Sequence, residues 1–379
     1  MLGTFEQEWK KILEEYSKKT VKDALFDVLS DSEASLVIFG TGGVGLKFAE
    51  SLGSVSGRLK AFCDNHKTGF VERFDVPIIT PTELLSNYQS AVIVVAASEY
   101  LNYNNQIYDQ LIEAGVCKER IYRRYCGYDM LELEELEKHI AGYKWAYDFF
   151  EEEEEKRIIL DRIRAYLFHH ELDGTPPGEQ YFDQNVIKLT EQEVFVDGGC
   201  YVGDTSLEFI KKVSGRYSYI YGFEPDETNY LRACTDLAGY ENVLIVNKGL
   251  HDKVEMLSFR ANGPSTTVGA KRHSTEILAE VQTISLDAFF SKENANQPTF
   301  IKLDIEGSEK NALVGAENTI RGALPKLAVS VYHKPEDIYE IPQLLKEYGD
   351  YSFKLRHYTK GVWETVLYAI PKCTEHGYV

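Results

Sequence analysis

The sequence predicts an α/β protein made of two doubly wound units joined by helices. Short apolar runs alternate with helix-spaced patterns both before and after residue 180. A glycine-rich turn follows the first strand of each series. Between the series lie a glutamate-rich stretch and a Gly/Pro breaker at 173–178. The expected division is 1–128 for an opening helix plus the first unit, 129–180 for a helical linker, and 181–379 for the second unit.

Residues 5–29 carry Phe5, Trp9, Ile12, Leu13, Tyr16, Val21, Leu25 and Val28 at helical spacing, as in one or two amphipathic helices. An apolar strand at 36–39 runs into the glycine turn 40–45 and a helix reaching about residue 52. Strands are expected at 59–63 and 76–79. A helix then starts at Pro81, with Thr80 as its N-cap. The run 91–97 reads as a buried strand, 103–114 as a helix closed by Gly115, and 121–122 as a last strand. From 129 to 170, Leu133, Leu136, Ile140, Tyr143, Tyr147, Phe150, Ile158, Ile159, Ile163 and Leu167 keep helical spacing, so connecting helices are expected. The glutamates at 151–155 read as a solvated helix face, with an acidic partner surface as the other reading.

The second series has expected strands at 194–197, 218–223, 243–247, 254–260, 300–303 and 327–332. Strands 351–357 and 365–370 flank a turn at Lys360 and Gly361 and pair as an antiparallel hairpin. The polar stretch 262–275 reads as a long loop, either over a site or only on the surface.

Lysine plus arginine number 41 against 60 acids in 379 residues, a formal charge of −19. Phosphate backbones are repelled by such a surface, so no nucleic-acid partner is expected. The longest apolar run, 91–97, falls far short of the roughly 20 residues of a membrane span. The amphipathic, charged opening does not resemble a secretory signal. Six scattered cysteines form no CxxC pair, which argues against a zinc or disulfide framework. A cytoplasmic protein is expected, and the helices flanking the first unit would support a homodimer.

The two glycine turns differ in chemistry. Gly40-Thr41-Gly42-Gly43-Val44-Gly45 fits G-x-G-x-x-G between strand and helix, and Asp64 ends the next strand. Such a turn cradles a pyrophosphate while the acid binds a ribose hydroxyl; the other reading is a purely structural turn. The second turn, in VFVDGGCYVGDTS (194–206), places Asp197 at the strand end before Gly199, Cys200, Tyr201, Gly203, Asp204 and Thr205. Glu224 and Pro225 close the next strand. That arrangement suits a ligand without phosphates. S-adenosylmethionine has a cationic amino-acid end for an acid at the first tip, and a ribose diol for a carboxylate at the second. Asn247, at the third tip, would contact the adenine.

A third cluster is TFIKLDIEGSEKNALVGA (299–316). Asp304 and Glu306 lie at the carboxyl end of a strand, where open α/β sheets bind ligands. Helix capping is the competing role. Lys302, inside an apolar strand, is expected either to pair with a carboxylate or to snorkel its head to water. His333 ends the strand LAVSVY and is the favoured proton acceptor, with Asp304 the alternative.

VFVDGGCYVGDTS, YGFEPDE, VNKGL, TISLDAFF, IKLDIEGSEKNALVGA, SVYHKPEDI and ETVLYAI occur in the order of the FkbM-type methyltransferases, which the chain resembles over about 181–379. The resemblance implies a class I methyltransferase fold, with a seven-stranded, mostly parallel sheet and an antiparallel C-terminal hairpin. It implies S-adenosylmethionine as donor and methyl transfer to a hydroxyl oxygen of a small-molecule or glycan acceptor. Cys200 and Tyr201 depart from the Ala and Asn of many members. Residues 33–125 are similar to small Rossmann-like domains attached to some sugar methyltransferases and acyltransferases. Asp197, Gly199, Cys200, Tyr201, Gly203, Asp204, Thr205, Glu224, Pro225, Asn247 and Asp304 are thus expected at the donor. His333, Asp304 and Glu306 are expected at the chemistry, without a required metal. The alternative is an NAD(P)-linked oxidoreductase or a nucleotide-sugar-binding protein using Gly40 to Gly45.

Overall fold

The computed structural model describes residues 2–19, 25, 28–29, 33–97, 103–123, 131, 133–168, 172, 180–262, 265–268, 278–292, 295–359 and 361–372. The 173–178 breaker and Lys360 of the hairpin turn lie outside them.

Helix α1 (Phe5–Lys19) precedes the first sheet. Its strands are β1 (Leu36–Phe39), β2 (Leu59–Cys63), β3 (Gly69–Val71), β4 (Val76–Ile79), β5 (Val92–Val95) and β6 (Ile121–Arg123), in the order β3-β4-β2-β1-β5-β6. All pairs are parallel except β3 with β4. Strand β3 escaped the sequence reading because it is short, lies at the edge and is largely exposed, which leaves no apolar pattern. Helices α2 (Gly43–Ser51), α3 (Pro81–Asn87) and α4 (Tyr103–Glu113) complete the unit. Thr80 caps α3 as its sequence predicts: Glu83 N donates to Thr80 Oγ1 (3.2 Å), and Thr80 N donates to a Glu83 carboxylate oxygen (2.8 Å).

Helices α5 (Leu133–Glu137), α6 (Ile140–Phe149) and α7 (Glu153–Phe168) were expected to be connectors. Instead they form a layer of the second unit. Tyr143, Ala146, Ile159 and Ile163 share one core with Val329, Leu355 and Leu367. The opening segment divides between the units. Phe5 and Ile12 of α1 enter that same core, where Phe5 meets the Tyr147 ring edge-on, whereas Leu25 and Leu29 join the core of the first sheet. The glutamate run is not a purely solvated face. Glu155 is buried and accepts from Leu355 N (3.2 Å), and Glu152 pairs with Lys354 and Arg356. Its position beside the basic edge of a strand, which sequence order hides, explains the difference.

The second unit contains β7 (Val194–Gly198), α8 (Asp204–Lys212), β8 (Tyr219–Phe223), α9 (Glu227–Asp236), β9 (Val243–Val246), β10 (Gly249–Leu250), β11 (Met256–Asn262), β12 (Ser265–Val268) and β13 (Leu278–Ile284). It continues through α10 (Leu286–Lys292), β14 (Phe300–Leu303), α11 (Glu309–Val314), α12 (Glu317–Ala323), β15 (Lys326–Ser330), α13 (Asp337–Tyr348), β16 (Tyr351–His357) and β17 (Thr365–Pro371). The main sheet runs β16-β17-β15-β14-β7-β8-β9, with β17 antiparallel to both neighbours. Phe182, Phe195, Phe209 and Phe300 pack as rings on one face, and the larger core covers the other. The stretch read as a loop at 262–275 supplies β12 to a small sheet ordered β10-β13-β11-β12; residues 263–264 and 269–275 lie outside the described ones. Among the described residues no helix is long and apolar enough to cross a membrane.

Candidate active site

The main sheet reverses its direction of growth between β7 and β14, so their carboxyl ends border a crevice of the kind that holds ligands in open α/β sheets. The turn after β7 is shaped by close packing. Gly199 has φ +74°, and a Cβ there would stand 1.9 Å from the Asp304 carbonyl oxygen. Gly199 N and Cys200 N both donate to Phe223 O, and Gly203 N donates to Cys200 O before α8 begins. The Cys200 side chain is buried beneath this turn, while Tyr201 (φ +47°) and Thr205 are half-buried and Asp204 is exposed.

Asp197 is not at the surface of the crevice. It is fully buried, ion-paired with Lys302 at 3.1 Å, and accepts from Ser206 Oγ at 2.7 Å. Lys302 Nζ also donates to Gly199 O (2.9 Å). The pair therefore bolts the turn to β14, and of the two expectations for Lys302 the carboxylate partner holds. Burial alone would lower the Lys302 pKa, but the nearby acids outweigh it, led by Asp197, and hold the ammonium charged.

Glu224 sits at the tip of β8, 5% exposed. Its carboxylate accepts from Tyr201 N (3.0 Å) and Asp226 N (2.9 Å). Burial pushes it up to about 7, and these N–H groups oppose the shift only in part. Asn247 is committed elsewhere than expected: its Nδ2 donates to Glu224 O (2.9 Å) and Pro225 O (3.2 Å), so it braces the strand-tip turn.

Across the crevice, Asp304 accepts from Tyr181 OH (2.7 Å) and Tyr332 OH (3.0 Å). Burial would raise its carboxyl, but the His333 and Lys302 charges and the two phenols reverse the sign, and the net shift is downward. Glu306 takes φ +56° and lies 3.5 Å from His333 Nε2. Burial pushes its carboxyl up to about 7. His333 is ringed by carboxylates, with Nδ1 3.0 Å from Glu309 and Nε2 3.6 Å from Asp304. Burial favours the neutral ring, yet the three acids outweigh it and push His333 up to about 10. The ring expected to accept a proton thus stands among three carboxylates, which favour its charged form.

Sequence reasoning missed Tyr181, Tyr332, Glu309 and Glu364. Glu364 is buried, has φ +67° and accepts from Gln180; burial and the Asp304 charge push its carboxyl up to about 8. Glu309 and Tyr332 had a local signal, since they adjoin LDIEG and His333. Tyr181 and Glu364 had none. In the first unit, Gly40 turns with φ +126° against Ala96 O. Asp64 there accepts from Thr41 Oγ1, His66 N (2.9 Å) and Lys67 N (3.1 Å).

The strand order, with its reversed last strand, and the ligand-type crevice at the β7–β14 switch define a class I methyltransferase-like fold. Residues 197–351 match the model of the Methyltransferase FkbM domain. The hexuronic acid methyltransferase AglP of Haloferax volcanii is 25% identical over 171 residues, covering 44% of this chain and 68% of that protein. The crystal structure of methyltransferase FkbM from Methylobacillus flagellatus overlays with a TM-score of 0.67 at 20% identity. It covers 96% of this chain and 99% of that one, a likeness of fold that includes the N-terminal unit.

Proposed function

We propose that the chain transfers a methyl group from S-adenosylmethionine to a hydroxyl oxygen of a sugar, in a glycan or small molecule carrying a hexuronic acid. The observation that carries the donor half is Glu224. It is a buried carboxylate beside the glycine turn, held by two backbone N–H donors and the Asn229 side chain where about four lone-pair sites are available. A ribose diol offers the missing donors as charge-assisted hydrogen bonds, so the residues present fit this cofactor. When bound, S-adenosylmethionine supplies a sulfonium methyl group that is already electrophilic.

The chain's own groups do the remaining work. Asp197, Lys302 and Ser206 hold the turn, and Asn247 holds the Glu224–Pro225 corner. Asp304, fixed by two phenols, orients the acceptor. Glu306 takes the acceptor's proton: it is a quarter exposed, and its carboxylate makes no hydrogen bond to any described residue. The sugar class is supported by the hexuronic acid named for the Haloferax relative.

The test is titration calorimetry of the full chain with S-adenosylhomocysteine and with NADH, followed by transfer of labelled methyl to glucuronate- and galacturonate-bearing acceptors. Homocysteine-product binding that is lost in Glu224→Gln is expected. NADH binding without S-adenosylhomocysteine binding would overturn the reading and move attention to the first glycine turn.

A further inference from the structure

One carboxylate oxygen each from Asp304 and Glu309 and one ring nitrogen of His333 lie within 4.8 Å of one another at the tips of β14 and β15. A cluster of acids is common on protein surfaces, but this one surrounds a histidine that is only 6% exposed. Nε2 of His333 makes no hydrogen bond to a described residue. Nδ1 stands 3.0 Å from Glu309 Oε1, paired with it. Glu309 Oε2 is likewise buried without a hydrogen-bond partner, while Oε1 accepts from Ile305 N (2.8 Å) and Gly307 N (3.3 Å). Buried polar atoms are almost always paired, so His333 Nε2 and Glu309 Oε2, both without a hydrogen-bond partner in this cluster, point to a ligand.

We propose that Asp304, Glu309 and His333 bind one divalent transition-metal ion. An imidazole nitrogen with two carboxylate oxygens suits Mn²⁺ or Zn²⁺ better than the all-oxygen shells of Ca²⁺ or the thiolates of Cu⁺. The donors are pre-set: Tyr181 and Tyr332 steady the Asp304 carboxylate, and two backbone N–H groups steady Glu309, as outer partners do at metal centres. Three protein ligands leave positions open beside Glu306, where an acceptor hydroxyl would be polarised. Only this last role rests on the methyltransferase reading; the binding of the ion does not.

The test strips the full chain with chelator and titrates it with MnCl₂, following free Mn²⁺ by electron paramagnetic resonance, and then adds ZnCl₂ as competitor. S-adenosylhomocysteine affinity is measured on the same samples. Saturable Mn²⁺ binding displaced by Zn²⁺ is expected, weakened at least about tenfold in Glu309→Gln and in His333→Asn. A melting-temperature rise with Mn²⁺ should appear in the wild type and vanish in both variants. Glu309→Gln keeps an acceptor for the Ile305 and Gly307 N–H groups, so it guards against misfolding of the histidine variant. Absence of binding by both ions, or binding unchanged in both variants, overturns the metal site. If the homocysteine product still binds in that case, the methyltransferase reading stands alone; if the product fails to bind wild type, that reading falls whatever the metal does.

Discussion

The two glycine turns occupy equivalent places, each after a central strand and each pressed against a backbone carbonyl of the strand across the switch. A Cβ on Gly40 would stand 2.3 Å from Ala96 O, and one on Gly199 1.9 Å from Asp304 O. Their acids differ. Asp64 has three protein donors, a hydroxyl and two backbone N–H groups. Burial pulls its carboxyl up, but those bonds win, and it lies below its ordinary value. Glu224 is more deeply buried, and its donors oppose that burial only in part, so its carboxyl stays raised. A glycine turn is thus a packing requirement in both units, and the balance of burial against hydrogen bonding sets the two neighbouring acids apart.

Substitutions in the turns give the largest expected effects. Gly199→Ala forces both a left-handed residue and a clash with β14, and should cost about 3 kcal/mol or more in urea unfolding. Gly42→Ala, with nothing within 4 Å of the added methyl, should stay within about 1 kcal/mol. Equal losses at both positions would show that the close backbone approach is not what requires glycine at 199.

Asp197→Ala leaves the Lys302 ammonium buried without its partner, and a loss of about 3–5 kcal/mol is expected by denaturant titration. Among the described residues the first turn shows no such buried ion pair. Glu224→Gln should weaken S-adenosylhomocysteine binding by roughly 2–3 kcal/mol, because a neutral amide cannot accept two charge-assisted bonds. Asp64→Asn should leave that affinity within about twofold. Calorimetry that found both variants equally weakened would show that the acids are not different in kind.

The smallest effect is in the pH dependence. Glu224 carries a folded-state value raised to about 7. Lowering the pH from 8 to 6 protonates it, and donor affinity should fall about three- to tenfold. The same group binds its proton more tightly folded than unfolded, so its own contribution to the stability of the free protein should rise over that interval. The wild type minus Glu224→Gln difference isolates both signs. Asp64, shifted downward, should add nothing in this range.

Much of the frame was legible in the chain. Strands β1, β2, β4 and β5 are apolar runs between turn residues, the Thr80 capping box is local, and the LDIEG and DGG stretches mark strand ends by their own composition. Asp197, Glu224, Asp304 and Glu306 stand out in the sequence because each lies at the end of such a run. Their tasks were not legible. Asp197 reads as a ligand contact until Lys302 is brought beside it, and Asn247 as an adenine contact until its amide is seen on Glu224 and Pro225. Helices α5 to α7 read as a spacer because their apolar spacing is the same whether the face is covered by a sheet or by another domain.

By itself the sequence determined the strand and helix series, the two tight turns and the side of the sheet on which the acids gather, because these follow from local apolar periodicity and backbone geometry. The tertiary structure alone decided which acid is tied down by a lysine, which is raised by burial, and which carboxylates surround His333. Charge state and hydrogen-bond demand depend on groups such as Tyr181, Glu309 and Glu364, which meet only when β7, β14, β15 and β17 lie side by side.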